Sequence, residues 1–186
     1  MNTATNVTAG KPKVTGAIHV APFGTTLPTS TADELTGFKG LGYCSEDGLV
    51  NGTNLETTDI KAWGGDTVLN IQTSKDDTFK FTLIEVLNVD VLKFVFGEDN
   101  VTGDLDTGLT VKVNGKEVDE VSIVIDMILR NNTPRRIVIP DCKISNIEDI
   151  SYVDNDAVGY GVTVTCMPDD SGNTHYEYTL RSGVSG

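Results

Sequence analysis

The sequence predicts a mainly β protein: antiparallel strands in a β-sandwich or partial barrel, with one flanking α-helix. Three observations carry this. Apolar and polar residues alternate with period two through most of the chain after Gly64-Gly65. Strong turn signals, "NGK" at 114–116 and "PDDSGN" at 168–173, punctuate the alternation. A helical stripe breaks it at one place, 89–96. With 19 glycines and 6% aromatic residues, many turns and a lean core are expected.

In chain order, residues 1–16 are polar and small and read as a flexible N-terminal arm. The rest, 17–186, reads as a single β domain. "GAIHVAPFGT" is a short apolar strand stopped by Pro22 and Gly24. "TSTADELTGF" offers Ser30 or Thr31 as a cap, Asp33 and Glu34 in a first turn and Gly37 as a stop, which predicts one short helical turn. Between about 42 and 65 glycines are frequent and apolar residues sparse. A strand can begin at Leu41 and another can hold "ETTDIKAW", but the stretch as a whole predicts a long loop, and loops of that length usually carry a function.

Val68–Ser74 places Leu69 and Ile71 on one face, and Thr78–Glu85 places Phe79, Phe81 and Leu83 on one face. With "SKDD" between them, they predict an antiparallel hairpin. "NVDVLKFVFG" then has Asn88 as cap, Val91, Leu92, Val95 and Phe96 as an apolar stripe, and Gly97 as stop: a helix over about 89–96. Leu109–Val113 and Glu117–Arg130 flank "NGK" and read as a second hairpin. Arg135–Ile139, Val158–Cys166 and His175–Arg181 complete the strands.

The 186 residues suffice for a real core. The net charge of −13, from 14 basic and 27 acidic residues, excludes ordinary groove binding to nucleic acid, which needs a cationic surface. It is compatible with a surface that nucleic acid passes without sticking. Cys44, Cys142 and Cys166 are odd in number, widely spaced and outside any CxxC, so three reduced, mostly buried thiols are expected. The start lacks an apolar signal region, and no apolar run approaches about 18 residues, so the sequence predicts synthesis in a cytosol and no membrane span.

Chemistry-bearing patterns are few. His19 and His175 lie far apart and read as structural or solvated. No nucleophile elbow, phosphate loop, zinc-protease or dinucleotide pattern is present, so no catalytic residue, cofactor or metal is expected. Asp104 and Asp106 before Gly108 faintly echo a calcium loop, but the bidentate carboxylate further on is missing, so an acidic connector is expected. Asn-x-Thr triplets at Asn6, Asn51, Asn100 and Asn131 matter only in a secreted chain. "PRR" at 134–136 predicts ion pairs with acids. Trp63, the sole tryptophan, stands in "DIKAWGGDTV" immediately before two glycines and therefore on a turn or loop.

Several stretches together resemble the major tail tube proteins of long-tailed bacteriophages: "GAIHVAPFGTTLPT", "GFKGLGYCSEDGL", "DIKAWGGDTV", "TSKDDTFKFTLIEVLNVDVLKFVFG" and the closing "VTCMPDDSGNTHYEYT". The likeness spans about residues 16–181. It implies a β-sandwich or partial barrel with a flanking helix, no enzyme activity, and self-assembly into six-membered rings stacked as a hollow tube in the virion tail. The implied partners are further copies, tail proteins such as the tape measure and tail terminator, and double-stranded DNA that passes through without specific binding. A tube protein of a contractile tail or secretion system, and a β-sandwich module for carbohydrate, are the alternatives. Within the resemblance, Trp63, Gly64, Gly65 and Asp66, with Asp47 and Leu49 in the same long loop, are the candidate subunit-interface residues. The competing expectation for Trp63 is a lid folded back over its own core.

Overall fold

The computed structural model of the chain describes residues 2–181. Met1 and 182–186, the outer ends of the expected arm and domain, lie outside the described residues. The strands are β1 (Lys11–Pro12), β2 (Ile18–Pro22), β3 (Lys39–Gly40), β4 (Cys44–Lys61) and β5 (Thr67–Leu83). After helix α1 (Val89–Phe96) come β6 (Val101–Thr102), β7 (Thr110–Val111), β8 (Val121–Leu129), β9 (Thr133–Ile147), β10 (Tyr160–Met167) and β11 (Tyr176–Thr179). One open sheet runs β3-β2-β8-β9-β10-β5-β4, with β1 added on β8 and β11 on β9, while β6 and β7 pair apart. Every pairing is antiparallel. The protein is thus mainly β, sandwich-like and unclosed, with a helix against it.

The β8–β9 hairpin is the centre. Its alternation sends Ile123, Ile125, Ile137 and Ile139 to one face, where they are buried. Its turn places Asn131 and Asn132 at positive φ, which Asn tolerates better than most residues. The outer edge of each strand is shared. β2 takes 121–125 of β8 and β1 takes 127–128. β11 takes 135–138 of β9 and β10 takes the part beyond Asp141.

Helix α1 covers the isoleucine face. Asn88 caps it by accepting from Asp90 N–H at 3.0 Å, and Gly97 ends it at φ 98°. Val91, Leu92, Phe94 and Val95 are buried, and the Phe94 ring stacks on Phe81 at 6.3 Å. The opposite face holds Val124 and Val138 beside a buried ion pair: Arg136 Nε and Nη2 donate to the Asp126 carboxylate at 2.7 and 2.8 Å. Arg136 Nη1 also donates to the Ser30 and Asp33 carbonyls at 3.0 and 2.8 Å, strapping the 23–38 segment across this face.

Four expectations are corrected. The helical turn over 30–37 does not form: its carbonyls turn inward to Arg136, and the Asp33 carboxylate accepts from Thr29 N–H and Ser30 N–H, capping a turn instead. The 42–65 stretch is not a loop, because Cys44–Lys61 is strand β4 along most of its length. "SKDD" is not a turn but the interior of β5, whose partner is β4. "NGK" does not join paired strands: Asn114 closes a local turn by accepting from Lys116 N–H, and Thr110–Val111 pairs backwards with Val101–Thr102. Apart from these, residues 11–12 at the start of the chain lie along β8, with Lys11 opposite Ile128.

Candidate assembly surface

β10 pairs with β5 over residues 78–83 only, while β4 follows β5 to its far end. Beyond Thr53 and Asp77 the two strands therefore run as a two-stranded ribbon joined to no third strand among the described residues. The root is fixed by Asp77, which is fully buried. Its carboxylate accepts from Thr53 Oγ1 at 2.6 Å and from Thr174 Oγ1, and Lys75 Nζ lies 3.1 Å away. Burial opposes the charge, but these three donors outweigh it and hold the carboxyl at about 2. One ionised side chain so ties β4, β5 and the β10–β11 turn where the ribbon leaves the body.

The ribbon contains a bulge that changes which face is apolar. Glu56 lies opposite Ser74 and Thr57 opposite Gln72, leaving Thr73 unpaired. Directly opposed residues share a face, and an extra residue reverses the alternation of one strand. On the body side of the bulge, Phe79 and Phe81 face the core together with Leu49. On the far side, Leu69 opposes Ile60 and Ile71 opposes Thr58, and all of these stand on the other face. Ile60, Leu69 and Ile71 are exposed there, with none of the described residues covering them. The face that continues the core side carries Thr57, Gln72, Asp59 and Asn70, the last two joined by a 2.6 Å hydrogen bond.

At the tip, Gly65 N–H donates to Ala62 O at 3.0 Å and Ala62 N–H to Asp66 O at 2.8 Å. Gly64 and Gly65 hold φ of 119° and 101°, which side chains rarely adopt. Trp63 stands on this turn fully exposed, so it does not fold over its own core. The structure thus gathers Trp63, Gly64, Gly65 and Asp66 at the tip. Asp47 and Leu49 are elsewhere: both lie on the body side of the root, where four residues of β4 bulge between the Cys44 and Leu49 pairings. Asp47 is exposed, whereas Leu49 packs against the core. A strand rise near 3.3 Å per residue puts roughly 40 Å between the tip and Leu49. Sequence reasoning missed Ile60 and the face that it forms with Leu69 and Ile71, because a bulge leaves no mark on residue periodicity.

Elsewhere, several titratable groups are occupied by their own neighbours. Asp104 Oδ1 accepts from Asp106 N–H, Thr107 N–H and Thr107 Oγ1, closing its own loop. Arg135 pairs with Glu177 as Arg136 does with Asp126. The thiols are free, with Cys142 and Cys166 buried and Cys44 half-buried. His175 packs edge-on against Phe79 at 5.2 Å, and His19 lies in β2 with burial pushing its pKa down. Among the described residues no group of three or more His, Cys, Asp or Glu is placed to share a metal ion, and no helix is long and apolar enough to cross a membrane.

The chain finds no match among curated proteins. The family model described as phage tail tube protein matches residues 1–181. That match covers nearly the full length, and the fold, with its exposed ribbon, is one in which a polymerising subunit can expose a contact element without weakening its core. The chain therefore belongs to the phage tail tube protein family, as a structural component of the virion tail.

Proposed function

We propose that this subunit closes into six-membered rings that stack into the hollow tube of a long-tailed phage, and that the β4–β5 ribbon is the element by which one copy grips the next. The observation that carries this is the ribbon's apolar side. A two-stranded ribbon is marginal alone in water, and here Ile60, Leu69, Ile71 and Trp63 project from it and stay exposed, with no other element of the described residues packed over them. Burying them against a second copy stabilises both ribbon and contact. Trp63, on the Gly64-Gly65 turn, reaches farthest and is the central anchor, with Asp66 beside it. Asp47, in the β4 bulge beside the body, is available for a separate contact, and Leu49 anchors β4 to the core. The tape measure and tail terminator would meet the same ring surfaces at the tube's ends and lumen.

The reading is structural rather than catalytic, since the buried acids Asp77 and Asp126 are each held by donors of the fold. The charge of −13 supports a lumen that repels phosphate, so that DNA slides through during ejection. Electron microscopy of the purified protein tests the proposal. Hollow tubes built of six-fold rings are expected. Unassociated monomers at high concentration, or rings of another symmetry, would overturn it.

A further inference from the structure

β8 has more edge than β2 covers, and the chain's first residues fill the remainder. Lys11 stands opposite Ile128 and Pro12 opposite Met127, and Lys13 N–H donates to Asp126 O at 3.3 Å. Farther along, Arg130 N–H donates to Thr8 Oγ1 at 2.8 Å and Arg130 Nη1 to Ala4 O at 2.9 Å. A Cβ at Gly10 would stand 3.3 Å from Met127 Sδ, so the arm's backbone lies close on that side chain. The fit is specific in register, yet the arm's two valines, Val7 and Val14, stay 71% and 99% exposed and add nothing to the core. The arm is held by edge hydrogen bonds and one ion pair, from the partly exposed Lys13 to the buried Asp126.

The link to the body is a turn that can open. Gly16 N–H donates to Lys13 O at 3.0 Å, and Gly16 holds φ 111°. Straightening 13–16 costs that one hydrogen bond and carries the arm away from its own β8.

We infer that in the assembled tube the arm of one subunit is exchanged onto the β8 edge of a neighbouring copy. This rests on the tube reading above. An identical chain supplies identical contacts, so the exchange loses only the 13–16 turn, while every vacated edge is filled by another copy's arm. Neighbours held side by side in a tube present that edge at high effective concentration. The arm also limits its own pairing. Lys13 N–H points to β8, so by strand alternation the Pro12 nitrogen points outward, where it has no hydrogen to donate. A further strand is discouraged from adding outside it, and exchange stops at one arm per edge.

The test is a disulfide that reports cis or trans placement. Lys11→Cys with Ile128→Cys sets two thiols on directly opposed residues of an antiparallel pair, within the reach of a disulfide. The native thiols stay out of the reaction at neutral pH, because burial pushes Cys44 up to about 11 and Cys166 up to about 12, and Cys142 higher than its ordinary value. Tubes are assembled under reductant, oxidised mildly, and run on a non-reducing denaturing gel. A ladder of linked chains is expected. Closure as single-chain species inside intact tubes would overturn the exchange. Should the double variant fail to assemble, the two single variants are mixed and co-assembled: a cross-linked dimer supports exchange, and its absence from mixed tubes overturns it. Failure of the unmodified chain to form tubes would sink the tube reading and the exchange together, whereas cis closure within tubes sinks the exchange alone.

Discussion

Two side chains show how single residues divide the work. Trp63 is fully exposed, so removing it takes nothing from the folded subunit. Trp63→Ala is expected to leave the monomer's thermal stability within about 0.5 kcal/mol of the parent. If it is the anchor between copies, assembly loses about 2 kcal/mol per contact, and tubes vanish from micrographs. A destabilised variant that still assembled would contradict the anchoring role. Asp77 is the reverse case, buried and internal. Its folded pKa of about 2 lies below the ordinary carboxylate value, so its contribution is fully present above about pH 4 and is lost as pH falls toward 2. The shift corresponds to about 2 kcal/mol. Urea denaturation of the parent and of Asp77→Asn should show a gap of that order at pH 7 that closes near pH 2. A gap independent of pH would mean that the carboxylate's charge is not what holds the ribbon's root.

At the scale of elements, the bulge at Thr73 decides what the ribbon presents. Inserting one residue between Glu56 and Thr57 gives Thr73 a partner, restores unbroken pairing and carries Ile60, Leu69 and Ile71 to the face that now carries Asn70 and Gln72. The lengthened ribbon should still pair, and the body should melt as before, because the core lies on the other side of Asp77. Tube formation should be lost, as seen by sedimentation and microscopy; normal tubes would show that the apolar side makes no contact. The strap over the opposite sheet face depends on one guanidinium. Burial disfavours the charged Asp126, and the Arg136 hydrogen bonds and charge, helped by Lys13 and His19, more than offset it and hold that carboxyl low. Arg136→Ala leaves a buried carboxylate and two carbonyls without their donor, so a loss of about 3–5 kcal/mol is expected in chemical denaturation. A loss below about 1 kcal/mol would mean that water replaces the guanidinium freely.

For the whole molecule, stability and assembly are carried by different parts. The core between α1 and the sheet needs neither the ribbon beyond Thr53 nor the arm. Deleting residues 2–13 should therefore yield a folded monomer, judged by its melting transition, that no longer builds long tubes; normal tubes would remove the arm from assembly. Charge acts over the whole surface as well. An excess of 13 acidic groups cannot all be paired internally, so assembled tubes are expected to give no shift of duplex DNA on a gel even at about 20 mM salt, where a cationic lining would bind tightly. Retention of DNA under those conditions would count against a sliding lumen.

The sequence by itself determined what is local. The helix over Val89–Phe96 was legible because its cap at Asn88, its stripe and its stop at Gly97 all lie within ten residues. The β class followed from alternation wherever one strand face is buried, as in β8 and the second half of β5. The tip of the candidate site was legible too, since a tryptophan before two glycines can only sit on a turn. Only the tertiary structure decided the rest. β4 looked like a loop because its outer part is wet on both faces, and alternation marks a strand only when one face is dry. Leu69 and Ile71 read as one strand and Phe79 and Phe81 as another, but all four belong to β5, and the unpaired Thr73 puts the two pairs on opposite faces. Asp77 read as part of a polar turn, yet it is the most enclosed acid of the ribbon because Thr174, 97 positions away, comes to meet it. Capping and periodicity act between near neighbours, whereas strand partners, bulges and buried acids are settled by contacts that exist only once distant segments have met.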